Sequence, residues 1–399
     1  MGASNILELY DDCLNYIFDF LPSQDCLRLA QVCLRFRQIF VSQCGKRFRE
    51  YTIDENSSRE ELIQLSICRE VVQNFTIDLH NFDMSIITNK YSCNTPTVFF
   101  DILCSTLAGM HQLEHLNVKQ LKILVTIIAR PVDQILTAVR QLKDLRRLKI
   151  HSIFDCSVQR LGELQHLEEL HLHVPQIASA TLVKCCKSNS RLHSLHLGYG
   201  CVQSNLCDIV PHCKNLEVFK FGMTAESSAY KALARLPKLR QLTHFGIRRA
   251  DSFEPLLTSL ADRPQLLHLD IDGGSISLPE TRQLIRLQSL VHLKCFCSTV
   301  QCVVMLARLS RLEELCLWMT SPLDISDALL GIIANCEKLK LLRLAAGNIN
   351  NDFFSNAMKL SRGKKIPLKL EIPMPSHKQT ITAEVKCSNE RELNNWSAF

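Results

Sequence analysis

Long hydrophobic runs are missing from this 399-residue sequence. No uninterrupted apolar stretch approaches 18 residues, so no membrane-spanning helix is expected. A secretory leader is not expected either: no Lys or Arg precedes Arg28, while Glu8, Asp11 and Asp12 come early. Gly2 is present, but Ile6 stands where a myristoylation signal needs Ser or Thr. Charge of one sign is scarce: 46 Lys and Arg against 40 Asp and Glu leave +6. That excess is too small for a concentrated basic face, so neither nucleic acid nor membrane is an expected partner. Catalytic signatures are lacking as well. Neither a G-x-S-x-G elbow nor a P-loop occurs. His111-Gln-Leu-Glu114-His115 spells H-x-x-E-H, yet it runs into a strand start, where a zinc-peptidase helix cannot form. Gly198-Tyr-Gly200 lacks the third glycine of a nucleotide loop and reads as a turn. No catalytic residue and no cofactor is expected.

What the chain has in quantity is cysteine, 19 in all, within a composition of 46% apolar and 22% charged residues that suits a well-packed protein. With no leader expected, a reducing compartment is expected too, so these should be thiols. The close pairs Cys185-Cys186 and Cys295-x-Cys297 have no second half-site, so zinc is not indicated and buried filler is the simplest reading. For the same reason the sequons at Asn56, Asn74 and Asn395 read as chance.

The motif L-x-x-L-x-L recurs along most of the chain. Clear copies open at Leu145, Leu167, Leu192, Leu216, Leu242, Leu266, Leu290, Leu312 and Leu339, stepping by 22, 25, 24, 26, 24, 24, 22 and 27 residues. An earlier copy opens at Leu113 and a weaker one at Val72. Steps inside a window of about 20–29 residues are those of leucine-rich repeats. The last two leucines of each motif share one face of a short strand. Intervening segments supply helices, as with Ala328, Leu329, Ile332 and Ile333 between Ile325 and Ala334. The fold class expected is α/β: a curved parallel sheet inside and helices outside. Cys213 and Cys336 precede their motifs by three residues, a cysteine dialect of the repeat.

Outward strand positions are the third, fifth and seventh of each motif. On that count His244, His268 and His292 share position three on successive strands. His151 neighbours His173 at position seven, and His171 neighbours His196 at position five. Imidazoles so stacked suggest a metal or pH-sensing set, against the plainer reading of ordinary surface histidines. At position seven Arg248, Asp272, Phe296 and Trp318 make a strip expected to contact a protein substrate on the concave face. Lys149, Arg248 and Arg343 are scattered candidates for an anion site.

The first fifty residues are not repeat. Leu14, Ile17, Phe18 and Leu21 form one helical stripe, Pro22-Ser23 breaks it with Ser23 as candidate cap, and Leu27, Leu29, Ala30, Val32 and Cys33 follow on a second helix. Phe36, Ile39 and Phe40 supply a third. Three short helices bury too little to be comfortable alone, so a partner is expected. This stretch resembles an F-box. Leu9, Asp12 and Leu14 match its L-P-x-E-L-L opening, Ile17-Phe18 and Leu21 its I-F-x-x-L, and Asp25, Leu29, Ala30, Val32 and Cys33 its D-L-x-x-L-A-x-V-C. Phe36-Arg37 occupies the aromatic-basic ending; Tyr10 replaces Pro, Cys13 and Cys26 replace Leu, and Phe36 replaces Trp.

With repeats behind it, the sequence resembles the F-box/leucine-rich-repeat family. The resemblance implies a non-enzymatic, cytoplasmic or nuclear substrate receptor of a Skp–cullin–F-box ubiquitin ligase, partnered by a Skp-type adaptor and a cullin. It implies adaptor contacts at Leu9, Leu14, Ile17, Phe18, Leu21, Leu29, Val32 and Phe36. A non-ligase repeat scaffold and a ligand-gated receptor remain alternatives. Expected boundaries are residues 5–50 for the helical module, 51–112 for a linking region with degenerate repeats, 113–373 for the solenoid and 374–399 for a tail.

Overall fold

Alternation decides the strands. In most motifs the fourth and sixth residues are apolar and the third and fifth polar, with Val218, Leu341 and Cys316 as exceptions, and a computed structural model of the chain shows them as short strands with the apolar pair turned inward. It describes residues 6–78, 95–119, 130–152, 157–202, 206–222, 227–245, 252–261, 263–319, 323–362, 364, 366–373 and 380–385. The chain divides into two compact units, Met1–His193 and Ser194–Phe399.

The first unit opens with three helices, α1 (Asp11–Phe20), α2 (Ser23–Ala30) and α3 (Leu34–Cys44). Ser23 begins α2 as its first helical residue; Pro22 takes the cap position, and no side chain caps that end. Leu14, Phe18, Leu27, Ala30, Phe36, Ile39 and Phe40 are buried among the helices. The strands β1 (Glu50–Ile53), β2 (Asn74–Asp78), β3 (His115–Lys119), β4 (Arg147–His151) and β5 (Glu169–His173) follow, each parallel to the next. The repeat pattern thus starts inside the stretch expected as a linking region. Helix α4 (Arg59–Cys68), with a Ser58–Glu61 capping box at its start, lies between β1 and β2 in the chain. Gln24 donates to Glu60 at 3.2 Å and Arg47 pairs with Glu61 at 3.3 Å, while the buried Phe48 ring lies 5.4 Å from that of Tyr51 on β1, so surface pairs and one aromatic contact join the helical module to the first repeat.

In the second unit β6 (Ser194–Leu197), β7 (Val218–Gly222), β8 (Gln241–Phe245), β9 (His268–Ile276), β10 (His292–Cys297), β11 (Glu314–Met319), β12 (Leu341–Ala346) and β13 (Leu368–Pro373) run parallel. The last strand, β14 (Thr380–Val385), is antiparallel to β13 and pairs what would otherwise be an open sheet edge. It lies within the expected tail, three strands along from Trp318 on β11 rather than over it. Helices alternate with these strands, the helix read between Ile325 and Ala334 appearing at Ser326–Asn335.

Polar stitches join neighbouring repeats three residues before the motif. In the first unit the buried Asn189 amide donates to the Leu164 carbonyl at 3.0 Å and accepts from the Leu167 N–H at 2.7 Å. In the second, the Cys336 thiol reaches the Leu309 carbonyl at 3.3 Å. Cysteine thus does one part of asparagine's work, and burial pushes its thiol up to about 11, so it stays protonated as a donor. Cysteines among the described residues are free thiols.

Candidate functional site

Two surfaces stand out, the helical module and the strand faces. On the module Leu14, Phe18 and Phe36 are buried, so their part is to hold the helices together, which corrects the expectation that they meet a partner. Ile17, Leu21 and Leu29 are half-buried; Leu9 and Val32 are exposed. The expected contacts left out Tyr10, noted only as a replacement for Pro, and passed over Phe20 and Leu34; these are 83%, 71% and 72% exposed. Exposed apolar side chains in such number on so short a module are the mark of a docking surface. Arg35 ties α3 to the start of α1, pairing with Asp11 at 2.7 Å and donating to the Leu9 carbonyl. Tyr10, which caps α1, holds φ at −64°, the value proline would impose, so the departure from the proline pattern leaves the helix entry intact.

The strand face of the second unit differs from the expected pattern at β8. Leu242 registers with Leu269 and His244 with Ile271, so the motif there opens at Leu239 rather than Leu242. His244 is therefore an inward residue, 5% exposed, with its ring against Phe221 and Phe253 at 5.8 and 4.9 Å. The three-histidine row is reduced to His268 and His292, stacked with centroids 5.7 Å apart. Phe245 takes the outward place expected for Arg248, which lies outside the described residues.

Around His292 the charges are complementary. Nε2 faces Asp270 and Nδ1 faces Glu314, each at 3.0 Å. The hydrogen bond to Asp270 leads in raising the imidazole above its ordinary range, against burial and with Glu314 adding to the rise. Burial would raise the Asp270 carboxyl, but His292, Thr243 and Lys294 together hold it below the usual range. His268 is pushed down, first by burial and then by His292 beside it.

Phe296 and Trp318 are in register and stacked, centroids 4.9 Å apart. Asp272 does not continue their row: a bulge at Gly273, where φ is +98°, brings Ser275 opposite Phe296. Instead Asp272 pairs with Lys294 at 3.1 Å, and the Lys294 ammonium sits 5.0 Å from the Trp318 ring centroid. Lys294, unnoticed in the sequence, therefore links the carboxylate to the aromatic pair. Its signal was there in the strand alternation, two residues before Phe296. Next along, Arg343 pairs with Glu371.

In the first unit His151 and His173 register and meet edge-on at 4.6 Å. His171 registers with Lys149, and in the second unit His196 with Lys220. Among the described residues no group of three His, Cys, Asp or Glu side chains is placed to hold a metal, so the histidine metal set is not formed there. Among the same residues no helix is long and apolar enough to cross a membrane.

Residues 6–48 match the family model of the F-box domain. No curated protein matches the chain. Among solved structures the chain is similar to an internalin of Listeria monocytogenes, with 12% identity, 89% of this chain and 94% of the other covered, and a TM-score of 0.45. It is similar also to internalin C2 of Listeria monocytogenes, with 16% identity, 64% and 92% covered, and a TM-score of 0.35. Likenesses this distant bear on neither function nor detail; the repeat plan rests on the chain's own strands. The protein thus carries an F-box domain followed by strands and helices in the leucine-rich-repeat arrangement. That architecture is consistent with an F-box/leucine-rich-repeat protein, and an F-box domain indicates binding to a Skp-type adaptor.

Proposed function

We propose that this chain is the substrate-recognition subunit of a Skp–cullin–F-box ubiquitin ligase, working in the cytoplasm, the nucleus or both. The F-box match at residues 6–48, on helices that leave Tyr10, Val32 and Leu34 exposed, carries the reading. The chain itself makes no bond. It binds the adaptor at one end and a substrate protein at the strand face, and the gain is effective concentration of the substrate lysine near the loaded enzyme. On the strand face the substrate contact is the Phe296–Trp318 stack with Lys294 and Asp272 at its flank, aromatics of the kind that dominate interfaces.

The test is co-purification of the full chain with a Skp-type adaptor and cullin, wild type against Val32→Asp/Leu34→Asp. These two side chains are exposed, at 70% and 72%, so the double variant keeps the helical core. Capture of both partners by wild type and at least a tenfold loss by the variant, with unchanged circular dichroism, is the expected result. Adaptor capture without cullin would turn the reading to a non-ligase scaffold, and capture of neither would end it.

A further inference from the structure

Six outward positions on β3, β4 and β5 form a block two residues deep and three strands wide. Asn117, Lys149 and His171 are in register across it, and so are Lys119, His151 and His173. Strand geometry puts neighbours in such a block about 5 Å apart across strands and about 7 Å along them. None of the six is an acid. The nearest register acids stand at the border: Asp78 on β2 pairs with Lys119 at 3.3 Å, and Glu169 on β5 pairs with Arg147 at 3.0 Å. Lys149, in the middle, is exposed and makes no hydrogen bond or ion pair with the described residues. The His173 imidazole is held below its ordinary range by burial and then by His151 beside it. Asp78 answers Lys119, while Lys149 has no ion-pair partner among the described residues, and cation-forming groups brought together in this way cluster where a ligand relieves their repulsion.

We propose that this block is an oxyanion site for a phosphoryl group, with Lys149 as the central ion pair and His151, His171 and His173 as hydrogen-bond donors around it. Several cation-forming donors side by side on one face suit a dianion with three free oxygens better than the two oxygens of a carboxylate. The proposal stands whether or not the chain serves a ligase. A small phosphate ester and a phosphorylated protein segment share this chemistry.

Binding should tighten with mild acid, because each imidazole that gains its proton on binding adds at most about tenfold per pH unit. The groups facing those imidazoles are His115, Asn117 and Lys119 on β3, Arg147 and Lys149 on β4, and Glu169 on β5, with Asp78 beyond Lys119. Inorganic phosphate is titrated into the full chain, histidine-labelled for NMR, at constant ionic strength and at pH 7.5 and 6.5. The result expected is saturable shifts of His171 and His173, about threefold to tenfold tighter binding at the lower pH when affinity is referred to the phosphate dianion, whose own protonation lowers its concentration there, and at least a tenfold loss in Lys149→Met. Arg343→Met, in the second unit, should bind as wild type, and circular dichroism should match in all three proteins. A glycine-flanked phosphoserine peptide binding tighter than free phosphate would assign a protein-borne group, and equal binding a small ligand. Unsaturable shifts, or wild-type binding by a folded Lys149→Met, would overturn the site.

Discussion

The strand faces of the two units share one backbone plan and solve the charge problem in opposite ways. On the second, from β9 to β13, cations have acids beside them: His292 lies between Asp270 and Glu314, Lys294 meets Asp272, and Arg343 meets Glu371. On the first, the block around Lys149 has no acid, and His151 crowds His173. A neutralised face with a stacked aromatic pair suits a protein contact, where desolvation rewards paired charges and exposed rings. An uncompensated one suits an anion. Repeats leave the core pattern fixed, so function is written at the third, fifth and seventh positions.

The sharpest break in the comparison should come from beneath the faces, where each unit buries a carboxylate between segments. Glu280, fully buried, accepts from the Phe253 N–H at 2.5 Å, the Ser252 hydroxyl at 2.8 Å and the Ser277 N–H at 2.6 Å, joining the starts of two helices, Glu254–Ala261 and Leu278–Leu284. Asp133, 8% exposed, accepts from the Ser157 hydroxyl and the Arg160 N–H. Glu280→Ala leaves more buried donors unanswered, so it should cost about 3–5 kcal/mol against about 1–3 for Asp133→Ala. Amide exchange at Phe253 and Ser277 reads the first locally. Equal losses would mean that the extra donors of the second unit find other acceptors.

Protons should then move the two faces in opposite directions. The folded midpoint of His292 lies above that of an unfolded imidazole, near 6.5. Its stabilisation is therefore complete below the unfolded value and disappears as pH rises through the folded one. His173 and His115 are pushed down, each first by burial. Their contribution is complete above the unfolded value and is lost as pH falls toward the folded one. Histidine NMR titration should order the midpoints His292 above His173, and Asp270→Asn should bring His292 down while His173 stays put. Saturating phosphate should raise His173 and leave His292 where it was.

Much of this was legible in the sequence. The repeat spacing located β4 to β7 and β9 to β12, and the apolar stripes located the three opening helices. The register at β8 was not legible, because leucines at 236, 239 and 242 recur every three residues and two motif frames fit. Phe245 and Ile247 make the better apolar pair, but Leu242 has neighbours on both sides, Phe219 and Leu269, and ladder pairing across three strands outweighs one good pair. The Asp272 displacement depended on a glycine bulge that leaves repeat length unchanged. On the F-box, family positions marked residues that matter without separating core from surface, which only packing does.

The smallest effect sharpens the second face. Lys294 holds its ammonium near the Trp318 ring and beside the Asp272 carboxylate at a half-exposed site, where a cation–π contact contributes about 0.5–1 kcal/mol. Lys294→Met keeps the stem that packs along the strand and removes both interactions at once. Stability should fall by no more than about 1 kcal/mol, since exposed ion pairs add little. Trp318 emission should shift as the charge leaves its ring, while Lys149→Met leaves that emission unchanged. If Lys294→Met leaves the emission where it was, the ammonium spends its time elsewhere. The second face would then be an aromatic pair flanked by separate charges, and its neutralisation would rest on His292 and Arg343.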